Sequence, residues 1–327
     1  MAAKAWSTAQ QKSPQTQKPV DEIFFQNDQV SLCLLIHRRA KIMRVIDFRA
    51  GPTSSKRMFV LSLAQREGVE KVYTLVERDE VQTWVKLGFA KEGNIPGFYK
   101  RSDAFLLGCS VHGAPHHIPI QSEMRISLGR PVQQIADVEE ERFETPVSSA
   151  AHDFAEKTVM HAKKLSKELA DKALPGAKVN PIRENDVKKP LATALRAGRA
   201  LTAFEPFGRD VERRYFSITS RGGFELIAST ESQACFGNAF LELLTGPKTE
   251  AERLATVASL RAMCDKLLSE GVVSCFSFAP SDDVALATAY VFNGFRRTGL
   301  LLNHMVVGGE RKDVTIWSRK LANPADE

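Results

Sequence analysis

One series of residues occurs twice along this chain in the same order, and it constrains the fold more than any other feature. Segments 46–52 (IDFRAGP) and 242–247 (ELLTGP) each predict a strand that runs into Gly-Pro and then a helix. Each of these helices ends at a glycine, Gly68 or Gly271, and a strand and a second helix follow. The recurrence indicates an internal repeat of one strand–helix–strand–helix unit.

The repeat continues to the end of the second helix of each unit, where 85–93 (VKLGFAKEG) matches 291–299 (VFNGFRRTG). Between the copies, residues 131–149 are polar, and apolar positions then recur at helical spacing over 150–173. The predicted organisation is a disordered tail at 1–20, an N-terminal domain at 21–130, a linker with a helix at 131–178 and a C-terminal domain at 179–327.

Apolar periodicity along both copies alternates between the spacing of strands and the spacing of helices, which predicts an α/β fold. Helices are expected at 55–66, 79–87, 150–173, 186–195, 249–269 and 282–292, with Asp186 and Thr249 as N-caps. Strands are expected at 30–36, 42–48, 70–76, 105–111, 215–219, 224–230, 240–244, 272–278, 300–307 and 314–318.

Composition limits the class of protein and its compartment. At 327 residues the chain is long enough for two domains, and it contains no apolar stretch of membrane-spanning length. Its five cysteines form no C-x-x-C pair, and its polar start lacks the apolar core of a secretory signal, so a cytoplasmic protein is expected. The net charge of +6 is spread along the chain, which does not favour nucleic-acid binding.

Two longer segments resemble a known family: 86–108 (KLGFAKEGNIPGFYKRSDAFLLG) and 303–321 (NHMVVGGERKDVTIWSRKL). With the Gly-Phe helix end, they resemble the GCN5-related N-acetyltransferase (GNAT) superfamily, and within it the beta-lysine N-acetyltransferases. The resemblance extends over about 41–108 and 179–321. It implies tandem GNAT-like halves, each a mixed central sheet flanked by helices. It also implies acyl transfer from acetyl-CoA to a small primary amine or amino acid.

The family binds the pyrophosphate of acetyl-CoA at a helix N-terminus, with the pattern Pro-x-x-Arg/Gln-Gly-x-Gly/Ala. In the second half Glu250 stands at the Arg/Gln position, and Ala251 and Arg253 stand at glycine positions. Carboxylates repel a pyrophosphate, although acids are also ordinary residues in a first helical turn. The cofactor-binding candidates in this half are Thr245, Gly246, Lys248 and Thr249.

The first half also lacks the glycines, but its corresponding turn is chemically suited to phosphate. The candidates there are Thr53, Ser54, Ser55, Lys56 and Arg57. The same segment also fits an N-capped helix with a solvated basic turn. Because no acid lies in this turn, Lys56 and Arg57 are expected to contribute more to CoA binding than Lys248.

The residues suited to proton transfer point to the second half. The resemblance implies that a Tyr four residues before the Gly-Phe glycine protonates the departing thiolate. Tyr290 occupies that position, whereas Trp84 occupies it in the first half. Glu242 matches a position that supplies the general base, with Asp47 near the corresponding place. The structural alternatives are a packed helix aromatic for Tyr290 and an outward-facing strand residue for Glu242.

Two further groups of residues have functional interpretations. Asn303 and His304 lie on a predicted strand that would border the acceptor pocket, where His304 could carry protons. A second group has the residue types that bind zinc: Cys109, His112, His116 and His117. Adjacent histidines rarely bind one metal without strain, so exposed loop histidines are the favoured interpretation and no metal site is predicted.

Two functions remain open from the sequence. One is an acyl-CoA-dependent N-acyltransferase with a small amine substrate. The other is a catalytically degenerate tandem protein that binds a protein partner or acts as a scaffold. Tyr290 and Glu242 favour the enzyme, and the acidic turn at 247–253 favours the binding module.

Overall fold

The computed structural model describes residues 20–28, 30–38, 40–49, 51, 53–99, 102–111, 149–201, 212–220, 223–232 and 237–322. The predicted tail, apart from Val20, and the segment 112–148 lie outside the described residues. Within the described ranges the chain has the predicted α/β fold, with strands and helices that alternate. No helix there is both long enough and apolar enough to cross a membrane.

The described residues of the first half form six strands and two α-helices. Their bounds are β1 (Val20–Gln26), β2 (Ser31–His37), β3 (Ile42–Asp47), α1 (Ser54–Arg66), β4 (Lys71–Val76), α2 (Val81–Lys86), β5 (Ala90–Ile95) and β6 (Ala104–Ser110). The strands lie in the order β1-β2-β3-β4-β6-β5, and only β3 and β4 are parallel among these neighbours. Helix α1 connects the parallel pair, as a parallel crossover requires.

After α3, the described residues of the second half form seven strands and three further α-helices. Their bounds are α3 (Ser149–Leu169), β7 (Ala177–Ile182), α4 (Glu184–Arg196), β8 (Glu212–Ser220), β9 (Glu225–Ser232), β10 (Asn238–Leu243), α5 (Glu250–Ser269), β11 (Ser274–Pro280), α6 (Val284–Phe292), β12 (Arg296–Val307) and β13 (Glu310–Lys320). The strand order is β7-β8-β9-β10-β11-β13-β12, and only β10 and β11 are parallel. Apart from the additional β7, this is the topology of the first half.

The two halves join edge to edge into one 13-stranded sheet. The joining strands are β5 and β12, which occupy corresponding places in the two halves. Their one register pair is Gly93↔Gly299, antiparallel, and these two glycines also correspond in the sequence repeat. The sheet therefore continues across an approximately two-fold contact between equivalent strands.

The parallel strands at the centre of each half diverge along their length. Pairing between β10 and β11 ends at Phe240↔Phe276, although both strands continue beyond that pair. The corresponding pair, β3 and β4, separates beyond Val45↔Thr74. Each half thus has a gap between its two central strands, next to the N-terminus of the helix that connects them.

The two faces of the second-half sheet are covered by different partners. One face packs against α3, α5 and α6 in a core that includes Leu241 and Tyr290. The opposite face packs against the first half, where the ring of Phe98 lies 5.8 Å from that of Phe276. The carbonyl of Phe98 also accepts a hydrogen bond from the side-chain amide of Asn238 at 2.5 Å. Because side chains alternate along a strand, successive residues of β10 face these two surroundings.

Helix α3, expected as part of a linker, packs against the second half. Val159 and Ala162 are buried in the core beneath α5 and α6. Ala155 packs against Leu300 and Leu302 of β12. The boundaries 131–178 of the predicted linker stay a prediction, but its helix contributes apolar surface to the second half.

Several sequence expectations for single elements are corrected by the structure. Strands β1, β5 and β7 were not predicted. Asp186 was expected as a helix N-cap, but α4 begins two residues earlier and Arg183 occupies the cap position. The predicted cap Thr249 is confirmed, because its hydroxyl accepts a hydrogen bond from the Glu252 amide at 3.3 Å.

We expect Gly299→Ala to reduce the free energy of unfolding by about 1–3 kcal/mol, the usual range for overpacking. A Cβ at this position would lie 2.5 Å from the Gly93 Cα and 2.6 Å from the Glu92 carbonyl oxygen, which are backbone atoms of the facing strand. Urea unfolding measures the change. Gly176→Ala is the control, because a Cβ there meets nothing within 4 Å. Equal stability of the two variants would contradict the close contact at the joint.

Candidate active site

Tyr290 lies on α6, four residues before Gly294, and its side chain is fully buried. Its phenol oxygen lies 2.6 Å from the hydroxyl oxygen of Ser277 on β11. Ser277 is the first β11 residue beyond the last pair with β10, so the two hydroxyls lie where the strands begin to diverge. Burial raises the pKa of Tyr290 above its ordinary value, although the Ser277 hydrogen bond opposes this. The phenol therefore keeps its proton at neutral pH.

The ring of Tyr290 is fixed by two aromatic neighbours. It stacks on the indole of Trp317, with centroids 5.4 Å apart and an angle of 10° between the planes. Phe295 meets it edge-on at 5.1 Å. These contacts hold the phenol oxygen toward Ser277, so the group is oriented before any ligand binds.

Glu242 lies on β10 and faces away from the core that contains Tyr290, since its neighbours Leu241 and Leu243 face that core. Its carboxylate accepts hydrogen bonds from Ser229, at 2.9 Å, and from the guanidinium of Arg213. The predicted acid and the predicted base therefore lie on opposite faces of the sheet, beside the same pair of diverging strands.

Arg213 connects Glu242 to a second carboxylate, Glu231, which it contacts at 2.8 Å. Sequence analysis missed both Arg213 and Glu231. The signal was the pairing of the predicted strands 215–219 and 224–230, because extending their register places these two residues directly opposite each other on β8 and β9. Together with Glu242 they form a buried patch of two carboxylates and one guanidinium, which we call the acidic patch.

The N-terminus of α5 is capped by a side chain of its own first turn. The Glu252 carboxylate accepts hydrogen bonds from the amides of Lys248, at 2.6 Å, and Thr249, at 3.2 Å. Arg199 forms an ion pair with the same carboxylate at 3.3 Å. Free amides in the first turn of a helix are what a pyrophosphate would bind, and here a carboxylate of that turn accepts from the two amides that directly precede it.

The other cofactor candidates of the second half also have intramolecular partners. The Thr245 hydroxyl accepts a hydrogen bond from the Ile227 amide at 3.0 Å. The Gly246 amide donates to the Arg199 carbonyl at 2.9 Å, and the Lys248 ammonium donates to a carbonyl of the 197–198 turn. The structure brings the four predicted residues together at the start of α5, but their polar groups already form hydrogen bonds within the protein.

Lys56, the main candidate of the first half, is not placed as a phosphate ligand. Its side chain is buried and forms an ion pair with Asp47. Its ammonium also donates to the carbonyls of Arg49, at 2.8 Å, and Gly51, at 3.0 Å. An ammonium group has three donors, and all three are used inside this turn. The expectation that Lys56 contributes to phosphate binding is therefore not supported.

The remaining candidates of the first half have ordinary positions in a helix start. Thr53 is the N-cap of α1 and accepts a hydrogen bond from the Lys56 amide at 3.3 Å. Ser55 is exposed and Arg57 is half-buried, and the side chain of Ser54 lies outside the described part of the chain. The N-capped helix of the structural interpretation is confirmed, but its basic turn is not solvated at Lys56, whose side chain is buried.

Trp84 occupies the position in the first half that Tyr290 occupies in the second, and it is equally buried. Its ring lies 5.8 Å from the Lys56 ammonium and meets Phe89 edge-on at 4.8 Å. An indole at this position cannot protonate a thiolate as a phenol does. The first half therefore has a packed interior where the second half has a pair of hydroxyls.

The two predicted substrate residues differ in their surroundings. His304 is buried between the halves, in edge contact with Tyr73 at 4.8 Å and Phe278 at 5.6 Å. Burial, with the charges of Lys71 and Arg311, lowers the pKa of His304 to about 3. It is uncharged at neutral pH, which argues against the predicted proton carrier.

Asn303 is exposed, and its backbone has a φ of 50° where the β12–β13 register shifts. Its amide donates to Asp313 at 2.8 Å, and its carbonyl accepts from Arg311 at 2.7 Å. These contacts stabilise an irregularity in β12. Of the zinc candidates, Cys109 is buried in β6 and the three histidines lie outside the described residues. No metal-binding cluster is found in the described part.

We expect the cap at Glu252 to make stability depend on pH. Burial tends to raise the pKa of Glu252, but hydrogen bonds from the Lys248 and Thr249 amides, with the charge of Arg199, hold it below 4.5. A lowered pKa contributes stability above the unfolded value, and that stability is lost as the pH falls through the folded value. Glu252→Gln should remove this contribution, about 1 kcal/mol for a cap. Thermal unfolding from pH 7 to pH 3 measures it, and parallel curves for both proteins would contradict it.

No family model matches the sequence, and no curated protein matches it. Among solved structures, the chain is similar to a spermidine N-acetyltransferase from Vibrio cholerae in complex with CoA and spermine, with 11% identity and a TM-score of 0.37 over 44% of this chain and 95% of that one. It is also similar to the ribosomal-protein-S18-alanine N-acetyltransferase from Escherichia coli, with 20% identity and a TM-score of 0.34 over 45% and 95%. A putative acetyltransferase from Sphaerobacter thermophilus has 15% identity and a TM-score of 0.35 over 45% and 96%.

Proposed function

We propose that the chain is an acyl-CoA-dependent N-acyltransferase for a small primary amine or amino acid, with its chemistry in the second half. The observation that carries this proposal is the Tyr290–Ser277 hydroxyl pair at the point where β10 and β11 diverge. A protonated, oriented phenol beside a gap between strands is suited to general acid catalysis. The first half has no equivalent, because Trp84 fills that position.

Each residue has one role in this proposal. Acetyl-CoA supplies a thioester, whose carbon–sulfur bond breaks as the amine nitrogen bonds to the acyl carbon. Glu242 takes a proton from the acceptor ammonium, and Tyr290 gives its proton to the departing sulfur. The nitrogen loses a second proton as the amide forms, and Ser277, hydrogen-bonded to Tyr290, can relay that proton to the phenol. Because Glu242 and Tyr290 lie on opposite faces, the acceptor and the thioester approach the gap from opposite sides.

A carboxylate at the position of Glu242 is suited to a cationic acceptor, because it attracts an ammonium group. Glu231 and Glu242 of the acidic patch both contact Arg213.

Cofactor binding in this half requires Glu252 to leave the amides at the start of α5. A helix cap contributes about 1 kcal/mol, whereas each charge-assisted hydrogen bond to a phosphate contributes about 1.5–3 kcal/mol. The released Arg199, with Lys248 close by, would then be available to the pyrophosphate. The contacts of an ordinary ligand can therefore supply the free energy needed to displace the Glu252 cap.

Calorimetry with acetyl-CoA, followed by an acetylation assay over a panel of diamines and amino acids, tests the proposal. We expect acetyl-CoA to bind, Arg199→Ala to weaken it about tenfold, and Arg57→Ala, the matched change in the first half, to leave it unchanged. A larger loss of acetyl-CoA affinity for Arg57→Ala than for Arg199→Ala would indicate that the cofactor binds in the first half instead. Acetyl-CoA that binds without acetylating any amine would contradict the acyltransferase.

A second candidate, a catalytically degenerate binding module, is favoured by one observation. The Glu252 carboxylate lies at the start of α5 and accepts from the amides of Lys248 and Thr249, and the Pro-x-x-Arg/Gln-Gly pattern is absent there. If Glu252→Gln also fails to bind acetyl-CoA in calorimetry, the cap is not what excludes the cofactor and the binding module is the better account.

A further inference from the structure

A cleft of about 730 Å³ lies where α3 passes over the joint between β5 and β12. Its walls come from three parts of the chain: β5 of the first half, the start of β12 in the second half, and one face of α3. This volume is within the range of small-molecule sites, about 300–1,000 Å³. None of the residues proposed above for acyl transfer lines it.

Four basic side chains line the cleft: Lys91, Lys163, Arg296 and Arg297. Arg297 is neutralised by Glu156, at 2.7 Å. The other acid of the cleft, Glu92, is in a buried ion pair with Lys71. In the described part of the chain, the remaining three cations have no carboxylate within ion-pair distance, although the Lys91 ammonium lies over the Phe105 ring at 4.4 Å. Three unneutralised cations in one concave surface create a positive potential that attracts anions.

The floor of the cleft is apolar and includes an unused hydrogen-bond donor. Val159, Phe295 and Trp317 form this floor. The Trp317 indole is 1% exposed, and its N–H has no acceptor among the described residues. A buried indole N–H usually has a hydrogen-bond partner.

We propose that this cleft binds a small phosphorylated molecule. Its phosphate groups contact Lys91, Lys163 and Arg296, and its less polar part lies over Phe295 and Trp317. A phosphate group matches three cations better than a single carboxylate does, because it carries more charge and more acceptor oxygens. Since the cations belong to both halves and to α3, the ligand links all three.

The cleft also has a physical connection to Tyr290. The Trp317 ring that forms its floor also stacks on the Tyr290 ring. Ligand contacts on the indole are therefore one side chain away from the Tyr290–Ser277 pair. This site is separate from the start of α5, so it does not depend on the proposed function.

Calorimetric titration of the full chain with inorganic pyrophosphate tests the proposal. We expect Lys163→Ala/Arg296→Ala to weaken binding at least about tenfold, since two charge-assisted contacts are lost. Lys86→Ala/Lys178→Ala is the matched control, because it removes two exposed charges outside the cleft and should change the affinity less than about twofold. Affinity should also fall as salt screens the cations.

Arg199→Ala separates this site from the start of α5, which could also bind pyrophosphate. Under the proposal Arg199→Ala retains the binding that Lys163→Ala/Arg296→Ala loses. Three results would each overturn the proposal. The first is the reverse pattern, in which Arg199→Ala loses binding and Lys163→Ala/Arg296→Ala retains it. The others are an equal loss in both double variants, and no pyrophosphate binding by the unmodified chain at 0.15 M salt, about the physiological ionic strength.

Discussion

Tyr290→Phe is expected to slow acetyl transfer by about 10²–10⁴-fold, the usual contribution of a positioned proton-transfer group. The substitution keeps the ring and its stacking on Trp317 and removes only the hydroxyl that meets Ser277. Because the ring still fills its place in the core, acetyl-CoA affinity should be nearly unchanged. Steady-state kinetics give kcat, and calorimetry gives the affinity for acetyl-CoA.

Tyr99→Phe provides the control, because Tyr99 is a largely buried tyrosine of the first half with no role in the proposed reaction. It should leave kcat within about twofold, because a change away from the reacting groups removes no transition-state interaction. Ser277→Ala should have a smaller effect than Tyr290→Phe, since the phenol itself remains. Normal turnover of Tyr290→Phe would show that the phenol only packs in the core.

Lys71→Met is expected to reduce the free energy of unfolding by about 3–5 kcal/mol, the usual cost of removing one partner of a buried ion pair. Lys71 and Glu92 are 0% and 4% exposed, and their ion pair lies beside the joint between the halves. The substitution leaves the Glu92 carboxylate buried without its counter-charge. Urea unfolding, followed by circular dichroism, measures the difference.

Lys71→Met/Glu92→Met should recover much of that loss, because removing both charges also removes the cost of burying them. Lys41→Met is the matched control. Its ion pair with Glu70, at 2.5 Å, is about half exposed on both sides, so we expect a change of about 0–1 kcal/mol. If Lys71→Met is no more destabilising than Lys41→Met, the buried pair does not hold the joint together.

The two halves have the same strand order but different interiors at the position of the proposed chemistry. Lys56, Asp47 and Trp84 fill the first-half position with an ion pair and an indole. The second half has the Tyr290–Ser277 hydroxyl pair in the same place. Under the proposed function, the second half is the active one and the first half has a structural role.

Strand prediction failed where a strand depends on its neighbours rather than on its own pattern. Strand β5 has the sequence AKEGNI, whose glycine and charges indicate a loop. It is a strand because Glu92 pairs with Lys71 in the interior and Gly93 admits the backbone of β12. Similarly, β7 contains Pro181, and it is the edge strand of the sheet, where a proline is tolerated.

Among the candidate site residues too, local features could be predicted and features that depend on the folded neighbours could not. Thr249 was identified as a helix cap because capping depends on residues within one turn. The partners of Lys56 and Glu242 were not identified, because Asp47 and Arg213 reach them only through the folded turn and the pairing of strands. From residue type alone, Lys56 was predicted as a phosphate ligand and Glu242 as a general base. In the structure both side chains are buried and form ion pairs, with Asp47 and Arg213.

By itself, the sequence determined the α/β class and the repeat, because strand and helix periodicity and the glycines that end helices are local properties. It also determined that Tyr290 and Trp84 occupy equivalent positions. The tertiary structure decided that β5 and β12 join the halves, that α3 packs on the second half and that His304 is buried between them. These features depend on contacts between residues far apart in the chain, and neither periodicity nor local propensity contains that information.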